Sequence, residues 1–415
     1  MLPPERPPMR TPTTPLHLPE FVIMLAMMIS IVALATDMML PGLATIGHDL
    51  GVDDANDVQL IVSSLFLGFA VGQALAGPLS DSFGRKPIIY LGYAVFILGC
   101  ILSLTATSWE AMIAGRVLQG LGAASPRIVS LALVRDGYEG RAMARIMSFV
   151  MAVFVLVPTI APAIGQGVIY LADWRATFLV LIVMALIAGT WFAVRQPETL
   201  APAQRRPFSA KSIWQGLREI TRNRVAMGNT TALGMIFGAF LAYLSTAQQV
   251  YEVVYDAGAL FPLYFGMAAL SIGASAVVNS MLVMRLGMRF LTRCALIGLI
   301  TLAVLFAGPA LGWGGVPPLP MFIGWLIASF FCVGLLFGNL NAIAMEPLGH
   351  IAGLGAALIG SVSNFIALPI SYFIGHQFDG TVMPLVAGFG TVGILALAVF
   401  LWSERGLARA AQTSA

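Results

Sequence analysis

Gly77-Pro78-Leu79-Ser80-Asp81-Ser82-Phe83-Gly84-Arg85-Lys86-Pro87 is a short charged turn set between two long apolar runs, in a chain that carries little charge elsewhere. Of the 415 residues 59% are hydrophobic and 10% charged, and the mean hydropathy is +0.89. A soluble domain carries roughly a quarter of its residues as charges. The turn is therefore read as a hinge between two membrane helices. A crossing of about 30 Å takes around 20 apolar residues, because in lipid only a helix satisfies its own backbone hydrogen bonds. The chain has room for about a dozen such spans and little else.

Apolar runs bounded by charges or turn residues predict helices over 20–46, 58–79, 87–107, 110–134, 145–170 and 174–194. Beyond a polar interruption they predict 224–249, 261–284, 291–311, 321–344, 354–376 and 383–402. The expected organisation is a tail over 1–19 that is disordered rather than a signal peptide, a six-helix half over 20–194 and a linker over 195–223. A second six-helix half over 224–402 and a short tail over 403–415 follow. The fold class is thus all-α and polytopic. With both termini in the cytoplasm, all but three of the 22 Lys and Arg residues fall in inner segments. The exceptions are Arg116 and Arg127 within a span and Arg175 beside an outer loop. Aspartates 49, 53, 54, 57, 173 and 256 mark outer loops.

The dispersed basic residues argue against nucleic-acid binding. Cys100, Cys294 and Cys332 lie in apolar runs and are read as packing residues. His17, His48, His350 and His376 have no metal-ligand spacing, and no catalytic constellation or phosphate loop is visible, so neither a metal nor a cofactor is expected. Aligning Gly84 with Gly287 sets Lys86 against Arg289, in a loop again joining the second and third helices of its half. Met284 stands where Asp81 does, so the acid does not repeat.

Each position of the turn has a physical use. Gly77 permits close packing and Gly84 a tight turn; Asp81 suits the positive end of a neighbouring helix, and Arg85 and Lys86 reach headgroups or acids. The alternative is a loop that only sets topology. Asp37 is the one acid deep within an apolar span. A carboxylate there costs about 2.5–3.5 kcal/mol unless it is protonated, hydrated or paired with a cation. It is read either as a proton site or as the structural partner of an arginine, and Pro41 is expected to break its helix and shift it outward. Arg116 either modulates a titrating carboxylate and orders polar groups with Gln119, or bonds carbonyls of the first helix. Arg127 lies about three turns from Arg116 and either lines a cavity or reaches the inner surface. Asn229, Tyr243, Gln248, Asn279, Asn339, Asn341 and Asn364 in the second half either bind substrate or join helices.

The turn, together with Arg116-Val117-Leu118-Gln119-Gly120-Leu121-Gly122, resembles the major facilitator superfamily. Thr36-Asp37-Met38-Met39-Leu40-Pro41, Val134-Arg135-Asp136, Trp174-Arg175, Pro197-Glu198-Thr199-Leu200 and Met345-Glu346-Pro347-Leu348-Gly349-His350-Ile351-Ala352-Gly353 narrow the likeness. They are similar to the twelve-helix drug:proton antiporters of the bicyclomycin/chloramphenicol resistance group. The resemblance implies a secondary transporter of a bacterial inner membrane, a monomer in lipid, that exports a small, largely apolar compound in exchange for protons. It implies proton coupling at Asp37 and Arg116, and a substrate cavity drawn from Gln119, Arg127, Tyr243, Gln248, Asn339 and Asn341. It further implies a cytoplasmic gate of Gly77, Asp81, Gly84, Arg85, Lys86, Arg135 and Asp136, in which Asp81 meets the start of helix eleven near Gly353–Gly355. Helix five carries an antiporter motif at Pro158, Ala161, Pro162 and Gly165, with Ala161 and Gln166 in place of two of its usual glycines. Proton–metabolite symport on the same fold and a non-transporting receptor are the rival readings.

Overall fold

Long apolar runs with no water to satisfy their backbone close into helices end to end. The computed structural model describes residues 17–205 and 207–405. Most of the proline-rich tail, with Arg6 and Arg10, the linker residue Arg206 and the C-terminal Arg409 lie outside the described residues. Twelve long helices run through the described chain. In the first half they are α1 (Leu18–Asp37), α3 (Leu60–Phe83), α4 (Arg85–Leu104), α5 (Trp109–Gly137), α6 (Gly140–Leu171) and α7 (Arg175–Arg195). In the second they are α9 (Arg224–Gln249), α10 (Phe261–Leu286), α11 (Met288–Gly312), α12 (Leu319–Met345), α13 (Ala352–His376) and α14 (Met383–Glu404). The face bearing the α3–α4 and α10–α11 turns is termed inner, and the opposite face outer.

The first span is not continuous. α1 ends at Asp37, a 3-10 turn occupies Leu40–Gly42 with Pro41 inside it, and a short α2 (Leu43–Asp49) completes the crossing. At 1.5 Å per residue the 20 residues of α1 already span about 30 Å, so Asp37 sits toward the outer side. The linker also contains a helix that the sequence reading did not assign, α8 (Ala210–Arg222). Its Gly216 and Ile220 are buried, and Gly216 lies against Leu354 and Leu358 of α13.

The halves meet along two seams, α3 against α13 and α6 against α10. At mid-depth the Ser361 hydroxyl donates to the Ala70 carbonyl (2.8 Å) and the Asn364 amide to Gln73 Oε1 (3.1 Å). At the outer end Asn56 Nδ2 donates to the carbonyls of His376 (3.3 Å) and Phe378 (3.1 Å), and Gln59 Nε2 to that of Gly375 (2.9 Å). Gln249 Nε2 donates to the Ala55 carbonyl (2.9 Å), and Gln166 Nε2 to that of Gly258 (3.3 Å). These bonds close the outer face. At the inner face the halves leave a cleft of about 490 Å³, lined among others by Gly77, Asp81, Arg135, Glu219, His350 and Gly353.

Candidate functional site

The interruption of α1 organises the outer half of the site. A broken helix exposes backbone groups that need partners. Arg116 of α5, fully buried, supplies one: its Nη1 donates to the carbonyl of Ala35 in α1 (2.9 Å) and its Nε to that of Ile61 (3.0 Å). A cation at the C-terminal end of a helix also meets the negative end of the helix dipole. Arg116 Nη1 further donates to Gln119 Oε1 (2.7 Å), whose amide nitrogen donates to Ser103 Oγ (2.9 Å) and the Gly99 carbonyl (3.2 Å). Gln119 is therefore locked between α4 and α5 with no exposure and does not line a cavity. Arg116 Nη2 is buried without a hydrogen-bond partner among the described residues.

Asp37 is 4% exposed and makes neither a hydrogen bond nor an ion pair with the described protein; Arg116 bonds the carbonyl two residues before it and not Asp37 itself. Tyr243 of α9 lies within electrostatic reach of Asp37 from the other half. It is itself buried, 3.5 Å by hydroxyl from Tyr251 and edge-on to Phe330 with ring centroids 4.9 Å apart. The far side of the break is held by α6. A Cβ on Gly165 would fall 2.0 Å from the Met38 carbonyl oxygen, so the motif of helix five owes its glycine to close approach against this break. Ala161 is fully buried one turn earlier, and α6 continues through Pro158 and Pro162.

Gln248 stands in the outer seam rather than in a cavity. Its Oε1 accepts from the Ala44 N–H (3.1 Å) and its Nε2 donates to the Pro41 carbonyl (3.1 Å) and to Glu252 (2.8 Å). Asn339 is spent on a bond to Asn279 Oδ1 (2.8 Å) between α12 and α10, and Asn341 is exposed. The expected cavity set is thus dispersed. Only Arg127 remains part-exposed beside an aromatic surface, its guanidinium 5.4 Å from the Phe69 ring centroid. Phe66 of α3 meets Phe237 of α9 across the halves at 5.4 Å, and Phe237, Phe240 and Phe337 continue that surface. Aromatic faces of this kind offer large apolar area with little side-chain entropy to lose.

At the inner face Gly84 adopts φ +106°, open to glycine and strained for other residues, and lets α4 start directly after α3. Arg85 is buried and donates to Asp81 (2.5 Å), Ser80 (2.8 Å) and Asp136 (2.9 Å). The Glu198 carboxylate accepts from the N–H groups of Arg85 and Lys86 (3.0 Å each), capping α4 from the far end of the half. Lys86 Nζ reaches the carbonyls of Gln196 (2.8 Å) and Ala193 (3.0 Å), and Thr199 donates to Asp136 (2.8 Å). Asp81 bonds Arg85 and not the start of α13. The group near Gly353 is instead Arg135, whose Nη1 lies 3.5 Å from where a side chain there would begin. Glu198 carries no role in the sequence reading, although it stands in one of the stretches quoted there. An acid just beyond the sixth helix was the available signal.

The described residues hold no cluster of potential metal ligands. The Major Facilitator Superfamily pattern matches residues 25–371. The chain belongs to the Major Facilitator Superfamily. It is 30% identical over 399 residues to the bicyclomycin resistance protein homolog of Haemophilus influenzae, covering 93% of this chain and 97% of that one. It is 26% identical over 389 residues to multidrug resistance protein MdtM of Salmonella typhimurium, covering 90% of each. Among solved structures the peptide transporter POT in complex with sulfate superposes with a TM-score of 0.74 over 94% of both chains, at 15% identity, a likeness of fold. As a superfamily member the chain is a transporter and not an enzyme. It takes a small-molecule substrate and lies as a multi-pass protein in the inner membrane.

Proposed function

We propose that this superfamily member exports small, largely apolar, drug-like compounds in exchange for protons, with Asp37 as the proton site. The observation that carries the reading is a buried carboxylate with no hydrogen-bond or ion-pair partner among the described residues, set where α1 breaks and sealed under the outer seam. A charge so placed has to find a proton, water or a cation at some point in its cycle. Relatives named for bicyclomycin and multidrug resistance support the substrate class. The inner face is taken as cytoplasmic from its basic residues, and the working unit as a monomer in lipid. In the proposed cycle a proton from outside neutralises Asp37 and releases substrate outward, and proton loss inside restores affinity. Arg127 and the Phe66–Phe237 surface face the substrate path, and Arg116 holds the broken end of α1 beside the proton site. Asp81 serves the inner gate by exchanging Arg85 for the start of α13.

The electrical drive is about 2.3 kcal/mol per charge per 100 mV, so a neutral compound exchanged for one proton draws on both voltage and pH gradient. The test is substrate flux in proteoliposomes under an imposed pH gradient, with compounds chosen from a susceptibility screen in cells lacking their own pumps. Asp37→Asn is expected to abolish uphill transport while substrate still binds, and exchange of substrate down its own gradient persists. Unchanged pH-driven transport by this variant would exclude Asp37 as the proton site, and substrate moving with the proton flow would establish symport instead.

A further inference from the structure

We infer that Gln248 is a positioning residue that couples the outer gate to the proton site, an inference that rests on Asp37 being that site. α2 starts at Leu43 with Gly42 before it and no side chain of its own segment capping it, so the Ala44 N–H is one of the free donors that every helix start presents. The Oε1 of Gln248 caps it, from the opposite half of the protein and 204 residues away in sequence. The same amide donates its Nε2 to the Pro41 carbonyl. One planar group thus stands in for a peptide across the interruption of α1, accepting on one side and donating on the other. Among neutral side chains only Asn and Gln carry both functions in that geometry. Gln248 is 5% exposed, so the bonds it makes are shielded from water.

The break bound by this amide starts at Asp37. Its other flank is fixed by Gly165 against the Met38 carbonyl, and Arg116 holds Ala35. The interval Met38–Leu43 is therefore held by α6 of its own half, with α5 anchoring Ala35 just before it, and by the Gln248 amide of the other half. When the outer seam opens, α9 carries Gln248 away from Pro41 and Ala44, and the fastening on that side is lost. The converse also holds. An ionised Asp37 without a partner requires water, and the path to outer water runs through the seam that Gln248 closes. Deprotonation of Asp37 then favours rupture of the clasp, and a neutral Asp37 favours the sealed arrangement. Glu252 is the remaining acceptor of the Gln248 amide, and Tyr243, with Tyr251 behind it, is the titratable group that reaches Asp37 from the second half. Arg116 is the cation on the α5 side.

The experiment measures hydrogen–deuterium exchange of the full-length protein in lipid nanodiscs, over peptides covering 38–50 and 249–258, across a pH series corrected for the intrinsic rate. Wild-type exchange at the seam is expected to rise with pH. Asp37→Asn should hold it low at every pH. Gln248→Met, of similar length with neither function, should raise it on the order of ten-fold at every pH and flatten the profile, as the net worth of one or two hydrogen bonds implies. Gln248→Glu keeps the acceptor for Ala44 but, when ionised, loses the donor and faces the Glu252 carboxylate, so its exchange should also rise above wild type, most at high pH, which keeps the test open if the Met variant does not purify folded. Wild-type exchange in both Gln248 variants, or a raised rate that keeps the wild-type pH profile, overturns the coupling role. Should Asp37→Asn transport with unaltered pH dependence, the proton-site reading fails first and the coupling falls with it. Loss of proton-driven transport in Asp37→Asn beside normal exchange in Gln248→Met sinks the clasp alone.

Discussion

The two inner corners of the molecule are built on one plan and finished differently. In the first half Gly84 turns α3 into α4 at φ +106°, and in the second Gly287 turns α10 into α11 at φ +79°. In each corner a cation from that turn reaches an acid at the end of the fourth helix, Asp136 for Arg85 and Glu346 for Arg289. Each corner also reaches the end of its sixth helix. Lys86 meets the carbonyls of Ala193 and Gln196 in one, and Arg289 meets Glu404 at 2.5 Å in the other. Two cations share in the first corner what one does in the second. The difference is Asp81, bonded to Arg85 with its side chain 53% exposed to the inner cleft, where Met284 stands 88% exposed on the other side. What both corners keep is the brace a six-helix half needs to hold its inner ends together. What only one keeps is a group free to change partner, which is why the gate is proposed for the first corner.

The largest effect that tests this contrast is expected from Arg85→Ala. The Arg85 side chain is 8% exposed and serves Asp81, Ser80 and Asp136 at once, with Asp136 only 21% exposed. Removing the cation leaves the mostly buried Asp136 carboxylate with only the Thr199 hydroxyl and takes from Ser80 the donor it accepts, a loss of about 3 kcal/mol. Thermal unfolding of the purified protein should fall by several degrees, and Arg85→Lys should recover part of it, because an ammonium is charged but cannot bond in two directions in one plane. A stability within error of wild type would mean that the corner is not a brace.

How far these features can be read from the chain follows the range of the forces behind them. The twelve spans are sums over 20 neighbouring residues, so hydropathy places them, and Pro41 correctly marks the break of the first. Gly84 and Gly287 also announce themselves, since a positive φ leaves few residue choices. The partners of Arg116 and Gln248 are backbone carbonyls and an N–H, present at every residue and carrying no pattern. Nothing in the sequence ties Gln248 to Pro41 across the linker. Tyr243, Asn339 and Gln119 are polar residues in apolar runs, the pattern that a cavity and a helix contact share, and the structure spends all three on contacts. α8 was legible and unassigned: Ile213, Leu217 and Ile220 recur at helical spacing, but the prolines and charges beside them suggest an open linker.

Glu198→Ala should come next in size and Arg289→Ala last. Glu198 caps two N–H groups of α4 with a charged carboxylate and holds the segment after α7 against the turn, so its loss should cost about 1–2 kcal/mol. The second corner has no such cap at Gly287. Its Arg289 side chain is 41% exposed, so its pair with Glu346 contributes at most about 1 kcal/mol and weakens with salt, while its pair with Glu404, only 13% exposed, is screened less. Unfolding of Arg289→Ala is therefore expected to fall less than that of Glu198→Ala and to regain at high salt the share owed to Glu346, keeping only the part owed to Glu404, while Glu198→Ala keeps its whole deficit in both. If Arg289→Ala instead matched Arg85→Ala, the two corners would be equivalent braces in energy as well as in plan. Asp81 would then be the sole feature left to separate the gate from its counterpart.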